Sequence, residues 1–319
     1  CYVDHYLFAV DKTTGKELWR VDQEEQFTGE MSCTACPVLS GDLLIMHTAR
    51  SLQAFNIETG ELVWVTKCAT TATSTPLIVD DEVLVAAWNK MGEPSLRPSF
   101  PTFDELVQMH DEDSNGLIDP GELPELWIFH RPEGVEAPMN GAKIGFRRAD
   151  KNQDRKISRD EWDATLQGIE RFRAGYETHG LLAVPLNNEG IVDSELVRVL
   201  ATEAIPEVPT PLCEGTFGYL VTIGGVITCI DLVSGERVYR TRTRGRGTHY
   251  ASPVMASGKI YTISGDGRIS VIKQGPEPEI LAVNDMGEPV YATPAIVDGV
   301  MYVRTHKALY AFTEQTSSD

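Results

Sequence analysis

Twelve residues from Asp111 to Glu122, and twelve more from Asp150 to Glu161, carry oxygen-bearing side chains at spacings that suit a hard divalent cation. Calcium takes six to eight oxygens, and a twelve-residue loop supplies them from its positions 1, 3, 5, 7, 9 and 12. In the first loop these are Asp111, Asp113, Asn115, the Leu117 carbonyl, Asp119 and Glu122. In the second they are Asp150, Asn152, Asp154, the Lys156 carbonyl, Ser158 and Glu161. Gly116 stands at position 6, where the chain must turn with positive φ. Arg155 stands there in the second loop, and a side chain at such a φ costs about 1 kcal/mol. The first loop also brings four carboxylates (Asp111, Asp113, Asp119, Glu122) against three in the second (Asp150, Asp154, Glu161). The spacing predicts two calcium sites, the second weaker.

Another set is cationic. Arg240, Arg242, Arg244 and Arg246 alternate and lead into His249 and Tyr250. Residues two apart in a strand share a side, so the run offers guanidinium forks suited to a carboxylate, phosphate or sulfate. Arg244, Arg246 and His249 are the candidate anion ligands. The same charges also suit a strand that only has to repel edge pairing. Cys33, Cys36 and Cys68 fall in two neighbouring connections, and a disulfide among them is expected in an oxidising compartment. A zinc site there wants a fourth ligand. Cys229 reads as core. Pro37 follows Cys36, so there is no Cys-x-x-Cys-His haem motif, and the seven histidines keep no metal-ligand spacing. No catalytic residue is identified.

The flanks of the loops carry the elements that must hold them. Phe103, Leu106 and Val107 recur at helical spacing before the first loop, and Leu123, Leu126 and Trp127 follow it. Ala142, Phe146 and Ala149 precede the second loop, and Trp162 and Leu166 follow it. This pattern predicts an EF-hand pair, two helix–loop–helix units joined by a β-contact between Ile118 and Ile157.

Outside that segment the chain repeats. A short apolar strand recurs at Tyr6–Asp11, Ser51–Asn56, Gly180–Val184, Val226–Asp231, Arg268–Ile272 and Ala308–Phe312. Three copies run on through a Thr/Ser-Gly turn to an aromatic: Gly15 to Trp19, Gly60 to Trp64, and Gly235 to Tyr239. A small residue and a proline open a further strand at Cys36-Pro37, Thr75-Pro76, Thr210-Pro211, Ser252-Pro253 and Thr293-Pro294. These prolines lie 39, 135, 42 and 41 residues apart. Taking one period of roughly 40 from the long gap leaves an insertion of about 95 residues, the calcium loops with their linkers. Four short strands per period, named A to D in order, fit a β-propeller.

The unit resembles the pyrroloquinoline-quinone (PQQ)-type propeller repeat, which runs Leu-Tyr-Ala-Leu-Asp, Thr-Gly, Trp. The resemblance implies an all-β propeller of four-stranded antiparallel blades, about six of them visible, which either just close as six or belong to a parent of seven or eight. The α-helical EF-hand module is inserted. Residues 1–90 and 179–319 are assigned to the propeller and 91–178 to the insertion, between strands B and C of the third unit. That position puts it on the side of the D-to-A connections. The first unit is expected to lack strand A and the last to lack strand D. Quinone enzymes of this kind use a pair of adjacent cysteines, which is missing here, so PQQ is not expected. The chain is more similar to the propeller lipoproteins of the outer-membrane β-barrel assembly machinery. The expectation is a calcium-binding, non-catalytic, periplasmic or extracellular scaffold of bacterial type with a protein or glycan partner. A PQQ-dependent-dehydrogenase-like oxidoreductase is the competing reading.

Composition narrows this further. A net charge of −19 argues against general binding through nucleic-acid phosphates. Residues 101–178 hold 17 acids and 10 bases, a net of −7, which leaves −12 elsewhere, so the acidity is not confined to the loops. No apolar run is long enough for a transmembrane helix. Cys1-Tyr2-Val3 enters a strand pattern at once, which reads as a trimmed N-terminus with any signal peptide out of view.

Overall fold

Short apolar strands pair with their sequence neighbours into antiparallel sheets, in a computed structural model that describes residues 2–3, 5–23, 34–68, 70–71, 73–89, 91–130, 140–174 and 178–313. Sheet one holds β1 (Tyr2–Val3), β2 (Tyr6–Val10) and β3 (Glu17–Asp22). Sheet two holds β4 (Val38–Ser40), β5 (Leu43–His47), β6 (Ser51–Asn56) and β7 (Leu62–Lys67). Sheet three begins with β8 (Leu77–Val79) and β9 (Glu82–Ala87).

The chain then departs through α1 (Phe103–His110), β10 (Trp127–His130), β11 (Gly141–Lys143), α2 (Phe146–Ala149) and α3 (Arg159–Ala174). It returns as β12 (Gly180–Pro185), which pairs with β9 in unbroken register from Ala87↔Gly180 to Glu82↔Pro185. β13 (Gly190–Ile191) adds in parallel to the outer edge of β7, and β14 (Arg198–Ala201) completes sheet three. The segment from α1 to α3 thus lies in the chain between β9 and β12, the second and third strands of sheet three.

Sheet four is β15 (Leu212–Glu214), β16 (Phe217–Val221), β17 (Val226–Asp231) and β18 (Arg237–Arg242). Sheet five is β19 (Val254–Ala256), β20 (Lys259–Ile263), β21 (Arg268–Lys273) and β22 (Ile280–Asp285). Sheet six is β23 (Ala295–Val297), β24 (Val300–Arg304) and β25 (Leu309–Phe312). Among the described residues, sheet one lacks a strand A and sheet six a strand D.

Consecutive sheets bury apolar residues against one another. Leu7 meets Met46 and Phe55, Trp64 meets Val85 and Leu182, and Leu84 and Leu181 meet Leu220 and Ile230. Tyr219 then meets Ile260, and Ile263 meets Val303.

Polar bonds also join neighbouring sheets. The Trp19 indole N–H donates to the Ile57 carbonyl at 2.9 Å, and that of Trp64 to the Leu186 carbonyl at 2.9 Å. The residues before the prolines form a second belt. Cys36 N–H donates to Thr75 Oγ1, Thr75 N–H to Thr210 Oγ1, Thr210 N–H to Ser252 Oγ, and Ser252 N–H to Thr293 Oγ1, at 2.9–3.1 Å. A residue before proline is held extended, which aims its N–H and its hydroxyl at opposite neighbours.

The module has its own core of Phe103, Leu106, Ile118, Ile157 and Trp162. Thr102 caps α1 through a reciprocal capping box with Glu105. The first loop does not continue into the expected helix. A helix begun at loop position 10, as α3 is, would need an N–H at residue 124 for the Pro120 carbonyl. Pro124 has none, Gly121 weakens the turn, and the β-favouring run Trp127-Ile128-Phe129 forms β10 instead, paired with β11. The predicted helix–loop–helix is therefore helix–loop–hairpin on that side. α2, which enters the second loop, is a single turn.

Candidate metal centre

The two loops lie back to back. Ile118 and Ile157 form an isolated antiparallel bridge, with N–H to carbonyl distances of 3.1 and 2.9 Å. Position 4 is left-handed in both loops (Ser114 φ +58°, Gln153 φ +62°), and so is position 6 (Gly116 φ +76°, Arg155 φ +69°). Arg155 thus adopts the conformation that glycine takes without strain.

Four hydrogen bonds recur at equivalent positions and shape each loop around its carboxylates. The N–H of position 6 donates to Oδ2 of position 1: Gly116 to Asp111 at 2.8 Å and Arg155 to Asp150 at 3.1 Å. The N–H of position 7 donates to Oδ1 of position 5: Leu117 to Asn115 at 2.8 Å and Lys156 to Asp154 at 2.9 Å. The position-12 glutamate accepts from positions 2 and 9. Glu122 takes Glu112 and Asp119, while Glu161 takes Lys151 and Ser158, all at 2.8–3.0 Å. Both glutamates are therefore held facing inward.

The donor set fits a hard cation. Asp111, Asp113 and Glu122 present oxygens within 4.8 Å of one another, the one such acidic group among the described residues. In the second loop Asp150 Oδ1 is buried and has no hydrogen-bond partner, an electron-rich atom that a cation would satisfy. Burial pushes the Glu161 carboxyl up, but the Ser158 N–H and hydroxyl and the Asn152 and Lys151 N–H groups outweigh it, so its pKa lies below the ordinary value. Calcium held here would bridge these oxygens and stiffen the loops.

A side-chain contact also crosses between the loops. Lys156 Nζ lies 3.0 Å from Asp119 Oδ2 and 3.2 Å from Oδ1. Asn115 and then Lys156 hold the Asp119 carboxyl below the usual carboxylate range. Sequence reasoning assigned Lys156 only its carbonyl. Nothing in loop spacing reports where a flexible side chain turns.

The module is bracketed to sheet three at its root. Asn89 N–H donates to His179 Nδ1 at 3.0 Å, and Asn89 Nδ2 to the Thr178 carbonyl at 3.3 Å. Burial, and then the Arg97 charge, lower the His179 pKa to about 4, so its ring stays a neutral acceptor. Ala204, in the connection after β14, donates its N–H to Glu93 at 3.2 Å. At the end of α3, buried Arg173 donates to the Ile128 carbonyl at 2.8 Å and pairs with Glu170.

The other candidates do not assemble into sites. His249 is buried, its Nε2 against Thr243 Oγ1 at 2.9 Å and its Nδ1 against the Gly247 carbonyl at 3.2 Å. Its ring nitrogens are taken, so it does not join Arg244 and Arg246 as an anion ligand. Those two arginines are exposed, and their backbone N–H groups donate to Ser270 and Asp266. Arg237 and Arg240 face Glu203 of the neighbouring connection.

Of the cysteines expected to form a disulfide, Cys33 lies outside the described residues, and Cys36 and Cys68 are free thiols, not bonded to each other. Cys36 is exposed, whereas Cys68 is fully buried with Sγ 3.7 Å from His47 Nε2. Burial pushes that thiol to about 12 and the imidazole to about 4. The pair is neutral and is not a thiolate nucleophile. Cys229 is buried as expected.

Residues 3–98 match the family model described as outer membrane protein assembly factor BamB, to which this stretch is similar. The match ends at residue 98, inside the segment that separates β9 from β12. No curated protein matches the chain. Among solved structures, BamB from Moraxella catarrhalis aligns over 99% of this chain and 78% of its own, at 15% identity and a TM-score of 0.43. No described helix is long and apolar enough to cross a membrane.

Proposed function

We propose that this protein is a calcium-binding, non-catalytic β-propeller that acts outside the cytoplasm as an interaction scaffold for a protein partner. The observation that carries the calcium reading is the hydrogen-bond pattern repeated in both loops, together with the bare, buried Asp150 Oδ1. The scaffold reading draws on the match of residues 3–98 to an assembly factor. It is supported by the chemistry of three thiols: buried Cys68, half-buried Cys213 and buried Cys229 are pushed up by desolvation, to about 12, 12 and 11, which favours packing over nucleophilic attack.

The module's position gives it a role in the scaffold. Standing between β9 and β12 and bonded to the connection after β14, it braces the side on which the D-to-A connections emerge. Calcium would set how firmly it does so.

Titration of the metal-free chain with calcium chloride in a calorimeter should reveal two binding events, with Glu122→Gln removing one and Glu161→Gln the other. Incubation with PQQ and calcium should give no saturable change in visible absorbance and no dye reduction. Absence of calcium heat removes the calcium reading, and quinone turnover replaces the scaffold with an oxidoreductase.

A further inference from the structure

The second loop reaches into the first. Lys156 occupies position 7 of its own loop, where calcium would use only the backbone carbonyl, so the side chain is free for other work. Its ammonium lies 3.0 and 3.2 Å from the two carboxylate oxygens of Asp119, the position-9 residue of the first loop. The Ile118–Ile157 bridge sets the distance, because it joins the residue before Asp119 to the residue after Lys156. The ammonium also feels the carboxylates of Asp113 and Glu122, and Asp119 feels Arg155 in turn. Every cation in this group comes from the second loop, and every one of these acids from the first.

We propose that Lys156 is an affinity-setting residue that competes with calcium for the first loop by pairing with Asp119. The proposal rests on the calcium reading of the loops. Without the metal, the ammonium relieves repulsion among Asp111, Asp113, Asp119 and Glu122 and so stabilises the empty loop. With calcium in place, the same ammonium stands beside a dication and shares its carboxylate. Both effects weaken binding. The ammonium also offsets the first loop's advantage of one carboxylate over the second, so the two affinities are drawn together.

The test is calorimetric titration of the full chain with calcium chloride, comparing wild type, Lys156→Met and Lys156→Arg. None of these changes alters the position-7 carbonyl of the second loop. Lys156→Met should tighten the site that Glu122→Gln abolishes by roughly three- to tenfold at low ionic strength, as expected for a partly exposed charge pair. The gain should shrink in about 1 M potassium chloride, where screening is nearly complete. Lys156→Arg should bind as wild type does. Metal-free Lys156→Met should melt lower than metal-free wild type. Unchanged or weaker binding at the first loop in Lys156→Met, with wild type binding normally, overturns the role of Lys156 alone. Failure of wild type to bind calcium at either loop overturns the calcium reading and this proposal together.

Discussion

Arg155 isolates what a single position costs a loop of this shape. It sits at φ +69°, against +76° for Gly116 at the same place in the first loop, and its N–H makes the same bond to the position-1 carboxylate. The geometry is kept and the side chain strains it by about 1 kcal/mol, since a Cβ crowds the backbone at positive φ. Arg155→Gly should relieve this strain in the bound loop and also remove one positive charge near the metal. Calcium affinity at the second loop, assigned by its loss in Glu161→Gln, should rise about fivefold, equivalent to ~1 kcal/mol. Gly116→Arg should weaken the first loop by a similar factor. Calorimetric titration reads both, and an Arg155→Gly chain that binds no tighter would show that the loop had already absorbed the strain.

At the scale of elements, the Thr/Ser-Gly turn and the tryptophan are two halves of one joint. Gly60 has φ +74°, and a Cβ there would lie 2.7 Å from the Trp19 ring, whose N–H is fixed on the Ile57 carbonyl. Gly15 has nearly the same φ, +71°, with nothing within 4 Å. The pair separates backbone strain from packing. Gly15→Ala should cost about 1 kcal/mol from φ alone, and Gly60→Ala about 2 kcal/mol or more because the indole must also move. Urea unfolding midpoints at constant slope measure both, and equal losses would mean that the Trp19 contact adds nothing.

Much of this level was legible in the sequence. The turn, the aromatic and the proline spacing all appear as local patterns. The belt of N–H to hydroxyl bonds from Cys36 to Thr293 was not, although its spacings are those of the prolines, because a hydroxyl's partner lies one whole unit away. Apolar spacing at Leu123, Leu126 and Trp127 points to a helix after the first loop, but that spacing takes no account of Pro124, and a hairpin forms instead. His249 was misread because burial, which decides whether a ring is available, leaves no mark on spacing.

For the whole molecule, the insertion is both a burden and a lever. Strands β5 and β6 are joined by the turn Thr48-Ala49-Arg50, in which the Thr48 N–H and hydroxyl bond the Ser51 carbonyl. β9 and β12 are joined instead through the entire module, and a longer closed loop costs more entropy unless it is folded. The bracket of Asn89 with His179 and Thr178 holds the two ends together once the module is formed. Calcium that stabilises the module should therefore stabilise the pairing of β9 with β12, and through the belts the sheets on either side. At free calcium 100-fold above the dissociation constant, one site contributes about 2.7 kcal/mol. Thermal unfolding followed by far-UV circular dichroism should then shift upward with calcium for the sheets, not only for the helices. Replacing residues 88–179 with Thr-Ala-Arg should give a chain that keeps its β signal and melts at one temperature with calcium or chelator. If the shortened chain still gained stability from calcium, the metal would have to act on the sheets directly. If the intact chain lost only helical signal on chelation, the module would hang from sheet three without bracing it.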